Sequence, residues 1–188
     1  MNGVLWQEAC WRQSGSLLQL LRLDGSERKI AMVGAGGKTT VLFGLARELQ
    51  ESGRRVLVTT TTHIWRPAGV FAADTPAGQL GKVLREQRLA VFGRTEGDKL
   101  ARPAEASLKE AARLADIVLI EADGSHGLPA KFPARQEPVL AGDEDLVLAV
   151  GGWSAVGRPL RECCHRAGLA AALLQKNEAT PLLGTELL

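Results

Sequence analysis

Residues 30–40 read IAMVGAGGKTT and bring together a short apolar strand, a glycine-rich turn and the start of a helix. The apolar run 30–33 predicts a buried strand, and the stretch 38–52 predicts a helix that Gly53 ends. One face of this helix is apolar and is formed by Val41, Leu42, Leu45, Ala46 and Leu49. Because a buried strand that turns into an amphipathic helix is the repeating unit of parallel sheets, this segment predicts the α/β class.

The rest of the chain continues the alternation of short apolar strands and longer helical patterns. Further strands are predicted at residues 55–60, 89–92, 117–120 and 146–150, and further helices at residues 16–23, 76–87, 103–115 and 161–174. The stretch 125–144 is rich in Pro, Gly and charged residues and predicts a long loop, which in a domain of this kind is usually functional. No element is predicted for residues 181–188. We expect residues 1–188 to form a single domain, a three-layer sandwich around a mostly parallel sheet.

Composition excludes several classes of protein. The chain is 45% hydrophobic and 23% charged, which is a globular rather than a disordered profile. A formal net charge of +2 argues against a dedicated nucleic-acid or membrane-surface protein. Aromatic residues make up only 4% of the chain, which disfavours RNA binding by stacked rings. No targeting segment and no apolar run of about 20 residues is visible, so we expect a soluble, cytoplasmic protein.

The three cysteines, Cys10, Cys163 and Cys164, do not have the spacing of zinc ligands. We interpret them as small, half-buried thiols in a reducing compartment. The alternative is a site for sulfur or a soft metal, because Cys163, Cys164 and His165 are consecutive.

The glycine-rich turn has the composition of a phosphate-binding loop. Glycines let the backbone wrap around an anion, and the N–H groups of the turn and of the helix start then point at phosphate oxygens. Lys38, expected at an exposed edge between loop and helix, is placed to reach the β- and γ-phosphates of ATP or GTP, and the Thr39 hydroxyl to ligate Mg²⁺. The candidate binding residues are Gly34, Ala35, Gly36, Gly37, Lys38, Thr39 and Thr40. The alternative is a structural glycine-rich turn with a solvated lysine.

The loop departs from the usual pattern at its first position, where Met32 stands in place of a glycine. It resembles the shortened Gly-Thr-x-Gly-Lys-Thr loop of the Mur ligase-type ATPases, with Ala35 in place of the threonine. Together with the predicted strand and helix, the loop predicts a P-loop NTPase-like fold.

A second set of polar residues follows the strand predicted at 117–120. Glu121 ends this strand, and the carboxyl edge of a parallel sheet is where ligands bind. We assign Glu121 to the Mg²⁺ side of the site, and Asp123 to orienting the attacking water or acceptor. Gly124 completes a turn with the spacing of a γ-phosphate sensor. The alternative is that both carboxylates are solvated turn residues.

The run Thr59-Thr60-Thr61-Thr62-His63 ends the strand predicted at 55–60. Thr59 and Thr60 are interpreted as structural, since threonine favours strands. Thr61, Thr62 and His63 fall just past the strand and are candidates for contacts with Mg²⁺-bound water or with a second substrate, or else are structural as well.

Three basic residues near the C-terminal half are candidates for a contact with the γ-phosphate. Lys131, in the predicted loop, is interpreted as a mobile positive charge, with a solvated loop lysine as the alternative. Arg158 and Arg166 are weaker candidates of the same kind. No Asn-Lys-x-Asp run is present, so the sequence does not distinguish ATP from GTP.

Taken together and in this order, the motifs resemble those of the YqeC family over roughly residues 16–166. They are the blocks VGAGGKTT (33–40), VTTTTHI (58–64), EADGS (121–125), KFP (131–133) and EPV (137–139). The resemblance implies an accessory protein of selenium-dependent molybdenum hydroxylases, which helps to make or insert their selenium-containing cofactor. It implies as partners a molybdenum hydroxylase or a molybdopterin-type cofactor.

Three hypotheses of different classes follow. The first is an enzyme, an NTP hydrolase or a phosphoryl or nucleotidyl transferase, in which Lys38, Asp123 and Lys131 are the catalytic candidates. The second is a slow nucleotide-gated switch or metallochaperone. The third is an α/β domain that binds no nucleotide.

Overall fold

The apolar strands assemble around one parallel sheet in the computed structural model, which describes residues 3–7, 10–65, 72–73 and 77–187. The strands are β1 Gly3–Gln7, β2 Cys10–Ser14, β3 Lys29–Gly34, β4 Val56–Thr60, β5 His63–Trp65, β6 Ala72–Ala73, β7 Leu89–Phe92, β8 Arg94–Glu96, β9 Lys99–Ala101, β10 Ile117–Glu121, β11 Ala130–Lys131, β12 Leu146–Val150 and β13 Cys164–His165. The helices are α1 Leu17–Leu20, α2 Lys38–Glu51, α3 Ala77–Gln87, α4 Glu105–Ala112, α5 Leu160–Cys163, α6 Ala167–Leu174 and α7 Gly184–Leu187, with a 3-10 turn at Trp153–Ala155.

The central sheet has the strand order β12-β3-β10-β4-β7-β6, and every neighbouring pair is parallel. The chain passes from β3 through α2 to β4, and β10 later inserts between these two strands. The last residue of β10, Glu121, pairs in register with Met32 of β3 and Thr60 of β4. The carboxyl ends of β3, β4 and β10 therefore meet at one edge of the sheet.

Alternate residues of each strand pack against different helices, because successive side chains point to opposite faces of a sheet. Ile30 and Met32 belong to a core with the apolar face of α2, whereas Ala31 belongs to a core with α3 and α4. Both cores are fully buried at these strand positions. The predicted α/β class and three-layer arrangement are thus confirmed.

Smaller sheets flank this sandwich and were absent from the prediction. β1 and β2 form an antiparallel hairpin, β5, β9 and β8 form an antiparallel three-stranded sheet, and β11 pairs in parallel with β13. Residues 94–101, which carried no prediction, supply two of these strands.

The helix predicted at residues 161–174 is wrong as one element. The chain instead forms α5, the two-residue strand β13 and α6. Arg166 adopts a left-handed conformation with φ of +64°, which no α-helix accommodates, and β13 pairs with β11. The apolar periodicity runs unbroken across this break, so the pattern alone hides it.

Other predicted boundaries are shifted. The helix predicted at 16–23 is reduced to α1, whose N-cap Ser16 accepts a hydrogen bond from the Gln19 amide. The loop predicted at 125–144 contains β11, and residues 181–188 contain α7. Pro76, the predicted start of a helix, lies outside the described residues. No helix in the described part of the chain is long and apolar enough to cross a membrane.

Candidate functional site

A cleft of about 610 Å³ opens at the carboxyl edge of the central sheet. It is lined by the segments 36–40, 62–64, 124–128 and 165–166, together with Lys99, Glu121 and Glu137. Most predicted site residues therefore share one cavity, although they come from separate parts of the sequence. Gly34, Ala35, Thr61, Asp123 and Lys131 lie outside its lining.

The turn between β3 and α2 requires glycine for two different reasons. A Cβ atom on Gly36 would lie 2.4 Å from Gly152 Cα and 2.5 Å from the Pro129 carbonyl oxygen, closer than any side chain tolerates. Gly37 has open space around it, but its φ of +124° is a conformation that side chains rarely adopt. The turn is thus packed against the chain on one side and open on the other.

The open side of the turn presents backbone amides. Within the described part of the chain, the N–H groups of Gly36, Gly37 and Lys38 donate no hydrogen bond, whereas the Ala35 amide donates to the Val150 carbonyl at 2.8 Å. All three unpaired amides belong to residues that line the cleft, at the N-terminus of the 14-residue helix α2. Unpaired amides at the positive end of a helix dipole form a site for an anion.

Lys38 is buried, so the prediction of an exposed lysine is wrong. Its side chain is 3% exposed and its Nζ donates to the Gly34 carbonyl oxygen at 2.6 Å. The same Nζ lies 3.1 Å from Asp123 Oδ1. The ammonium group of Lys38 folds back along its own turn because the carboxylate of Asp123, just after β10, lies there.

Asp123 connects this turn to Lys131. Asp123 Oδ2 accepts a hydrogen bond from the Gly34 amide at 2.9 Å and lies 3.1 Å from Lys131 Nζ. The Lys131 side chain is 1% exposed and also lies 2.8 Å from Glu137 Oε2. Lys131 is therefore a fixed, buried cation behind the cleft wall, and the prediction of a mobile or solvated lysine is wrong.

Thr39 and Glu121 meet at the floor of the cleft. The Thr39 hydroxyl donates a hydrogen bond to Glu121 Oε2 at 2.9 Å. Glu121 is only 6% exposed, and this burial raises the pKa of its carboxyl group against the opposing effects of Lys38 and Thr39. A divalent cation beside these two oxygens would compensate for the buried charge.

The oxygens available at this floor fit Mg²⁺ better than a metal held wholly by protein. Across the described ranges there is no group of three or more His, Cys, Asp and Glu side chains that could hold a metal ion. Mg²⁺ keeps several waters and takes one or two protein ligands together with substrate phosphates. Thr39 and Glu121 are the residues that would hold it, with the rest supplied by water and phosphate.

The threonine run divides between structural and cleft residues, but Thr61, a predicted contact residue, lies outside the cleft lining. Thr59 Oγ1 donates to the Phe92 carbonyl at 2.8 Å and Thr60 Oγ1 to the Glu121 carbonyl at 3.0 Å, which ties neighbouring strands together. Thr62 and His63 line the cleft, where His63 Nε2 lies 3.0 Å from Glu96 Oε2. Thr61 is held by its amide, which donates to the Glu121 carbonyl at 3.0 Å.

The far wall of the cleft contains residues that sequence reasoning mostly missed. Arg166 donates two hydrogen bonds to Glu137, at 2.5 and 2.9 Å. These bonds lower the pKa of Glu137 to about 2. Burial acts against this shift, and Lys131 adds to it. The rings of His126 and His165 stack with centroids 4.5 Å apart. Arg166 was a weak candidate and His126 carried no prediction. The one available signal is the block 121–139, in which charged and small residues are concentrated.

Two further sequence candidates lie elsewhere. Arg158 donates to the Glu162 carbonyl at 3.3 Å and does not line the cleft. Cys163 and Cys164 are free and more deeply buried than the predicted half-buried thiols, and burial raises the pKa of both, which disfavours reactivity.

These observations define a class: a parallel α/β sandwich whose central strand leads through a glycine turn into a helix, beside an acidic strand end. The chain matches the family described as YqeC protein over residues 30–168 and belongs to that family. It is 39% identical over 154 residues to a curated relative of Escherichia coli (strain K12), Uncharacterized protein YqeC. That match covers 73% of this chain and 57% of the relative's length. No solved structure matches the chain.

Proposed function

We propose that the cleft binds the polyphosphate of ATP or GTP together with Mg²⁺. The observation that carries this proposal is the set of unpaired amides of Gly36, Gly37 and Lys38, three residues that line the cleft at the start of α2. A phosphate group offers the acceptors that these amides lack, and the helix dipole favours its negative charge. This is the P-loop reading of the fold.

Lys38 changes partners in this proposal. Its Nζ leaves the Gly34 carbonyl and the Asp123 carboxylate, to which it is now bound at 2.6 and 3.1 Å, and pairs with the phosphate. Asp123 keeps the Gly34 amide and Lys131 as partners, so releasing Lys38 leaves no isolated buried charge. Asp123 then becomes free to orient an attacking water or acceptor.

The biological role that we propose is the one implied by the family resemblance. The nucleotide serves the maturation or insertion of a selenium-containing molybdenum cofactor in the cytoplasm, with a molybdenum hydroxylase or a molybdopterin-type cofactor as partner. As an enzyme, the protein would be an NTP hydrolase or a phosphoryl or nucleotidyl transferase, since positioned phosphates, Mg²⁺ and an oriented acceptor are what such chemistry needs.

One observation favours the second candidate, a nucleotide-gated switch with slow hydrolysis. Lys38, Asp123, Lys131, Glu137 and Arg166 form a continuous chain of ion pairs from the glycine turn to the start of α6. When Lys38 pairs with a phosphate, Asp123 loses one of its two cationic partners. This alters the electrostatic environment of Lys131 and, through it, of Glu137. A chain of this kind links nucleotide occupancy to the far wall of the cleft.

Calorimetric titration of the full chain with ATP, GTP and tripolyphosphate, each with and without Mg²⁺, tests the binding proposal. Saturable, Mg²⁺-dependent binding of at least one nucleotide and of tripolyphosphate is expected. Absence of heat with all three ligands, checked by thermal melting, would exclude it. Steady-state hydrolysis with and without a partner hydroxylase separates the two candidates, because a high rate without the partner contradicts the switch.

A further inference from the structure

We infer that the stacked imidazole rings of His126 and His165 form the platform on which the base of the bound nucleotide stacks. The inference rests on the proposed function, because it names the part of the cleft that receives the base once the glycine turn holds the phosphates. Both histidines line the same cleft as Gly36, Gly37 and Lys38.

The two rings form a layered surface. Their centroids are 4.5 Å apart and their planes differ by 28°, which is a stacked rather than an edge-to-face arrangement. His126 is exposed and His165 is partly buried. The more exposed ring of His126 is therefore the member of the pair on which a further planar ring would stack, with His165 behind it.

The supporting ring is fixed by backbone pairing. His165 is the second residue of β13 and lies in register with Lys131 of β11. Its carbonyl oxygen accepts a hydrogen bond from the Phe132 amide at 3.0 Å. Burial lowers the pKa of His165, and the charges of Arg166, His126 and Lys131 act in the same direction. These effects, opposed by Glu137, favour the neutral form of His165.

His126, which carries the more exposed ring, lies in a tight turn with positive φ values. The Leu128 amide donates to the Ser125 carbonyl at 3.0 Å across a turn whose central residues, His126 and Gly127, have φ of +51° and +76°. Two successive positive φ values favour Gly, Asn or Asp, and histidine is among the other side chains that adopt this conformation more readily. The turn places His126 in the lining of the cleft.

His126 and His165 are the stacked aromatic pair among the described residues that line this cavity. Its lining, as far as the described residues extend, contains no Phe, Tyr or Trp side chain. The third imidazole, His63, lies 3.0 Å from Glu96 through its Nε2. Every nucleobase presents a π-face, and stacking on a side-chain ring is the sequence-tolerant way to hold it.

The test compares ligands with and without a base. Dissociation constants of the full chain for Mg-ATP, Mg-GTP and Mg-tripolyphosphate are measured by calorimetry for the wild type, His126→Asn and His126→Phe. Asparagine suits the left-handed turn but lacks the ring, whereas phenylalanine keeps a ring without hydrogen-bonding nitrogens. Gln175→Asn is the matched control, since Gln175 is also exposed with a positive φ of +54° but lies outside the cleft.

We expect His126→Asn to weaken binding of the tighter nucleotide roughly 5- to 150-fold, as for one stacked base, and to leave tripolyphosphate within about twofold. His126→Phe should restore most of the lost affinity, and Gln175→Asn should change nothing. Equal losses for nucleotide and tripolyphosphate, no loss at all, or failure of the phenylalanine variant would overturn the platform while leaving phosphate binding intact. A wild type that binds none of the ligands would overturn the proposed function and the platform with it.

Discussion

The two ends of β10 carry charged residues in opposite settings. At its start, Asp116 accepts hydrogen bonds from the Arg55 amide at 2.8 Å and from the Arg55 guanidinium at 2.6 Å, with both side chains about a third exposed. These bonds lower the pKa of Asp116 to about 2. At its end, Glu121 is 6% exposed and Asp123, two residues further on, is 2% exposed.

The two ends of β10 differ in how completely their charged groups are hydrogen-bonded. Both oxygens of the Asp116 carboxylate accept hydrogen bonds from Arg55, and the side chain is about a third exposed. Among the described residues, Asp123 Oδ1 and Lys131 Nζ are buried with no partner in hydrogen-bond geometry, so ion-pair attraction alone holds them. Buried, incompletely bonded charges cost stability and are typical of sites that bind or react.

The largest expected effect is a difference in stability between variants at the two ends of β10. Asp123→Asn should lower the free energy of unfolding by about 3–5 kcal/mol, because Lys38 and Lys131 lose their shared buried counter-charge. Asp116→Asn should cost only about 1 kcal/mol, because its ion pair with Arg55 is partly exposed. Urea denaturation of both variants measures the two values. Equal losses would mean that the buried end is as well solvated as the exposed one.

A smaller effect, on binding rather than folding, is expected for Lys38. Lys38→Ala should weaken Mg-nucleotide binding about 10- to 150-fold, since a hydrogen bond to a charged group contributes roughly 1.5–3 kcal/mol. Asp123 keeps Lys131 in this variant, so the fold should persist. Lys82→Ala removes an exposed lysine paired with Glu86 on α3 and serves as the control. Lost stability with unchanged nucleotide affinity would assign Lys38 a structural role only.

The smallest of these effects concerns Glu121 and pH. The folded-state pKa of Glu121 lies above its unfolded value of about 4.5, so the folded protein binds this proton more tightly. Metal-free wild type should therefore lose stability as pH rises from about 4.5 through the raised pKa, and Glu121→Gln should remove that loss. Mg²⁺ at ten times its Kd should stabilise the wild type by about 1.4 kcal/mol at neutral pH.

The matched variant for this comparison is Glu105→Gln, which removes an exposed carboxylate on α4 that pairs with Lys109. It should keep both the pH dependence and the Mg²⁺ response of the wild type. A Glu121→Gln variant that still gains stability from Mg²⁺ would move the metal role to Asp123.

The sheet and the glycine turn could be predicted from the sequence because both depend on local patterns. Apolar runs of four to six residues can be placed by inspection, and the glycines at 34, 36 and 37 precede an amphipathic helix. The placement of Glu121 near the glycine turn was also expected, since parallel strands bring their carboxyl ends together, but its hydrogen bond with Thr39 was not.

The burial and ion pairing of the charged side chains could not be predicted, because both depend on contacts between residues that are far apart in the sequence. Lys131 lies where β11 pairs with β13, and β13 separates α5 from α6, with Arg166 in a left-handed conformation just before α6. A two-residue strand such as β11 has no periodicity of its own, so it could not be recognised within the loop pattern of residues 125–144. The stacked histidines were missed for the same reason.

The pairing of β11 with β13 also bears on synthesis. A nascent chain that ends before Cys164 already contains the glycine turn, Glu121 and Asp123, but it has no strand to receive β11 and lacks His165 and Arg166. During translation the far wall of the cleft therefore closes late. A ribosome-bound intermediate would present the glycine turn without the surface opposite it.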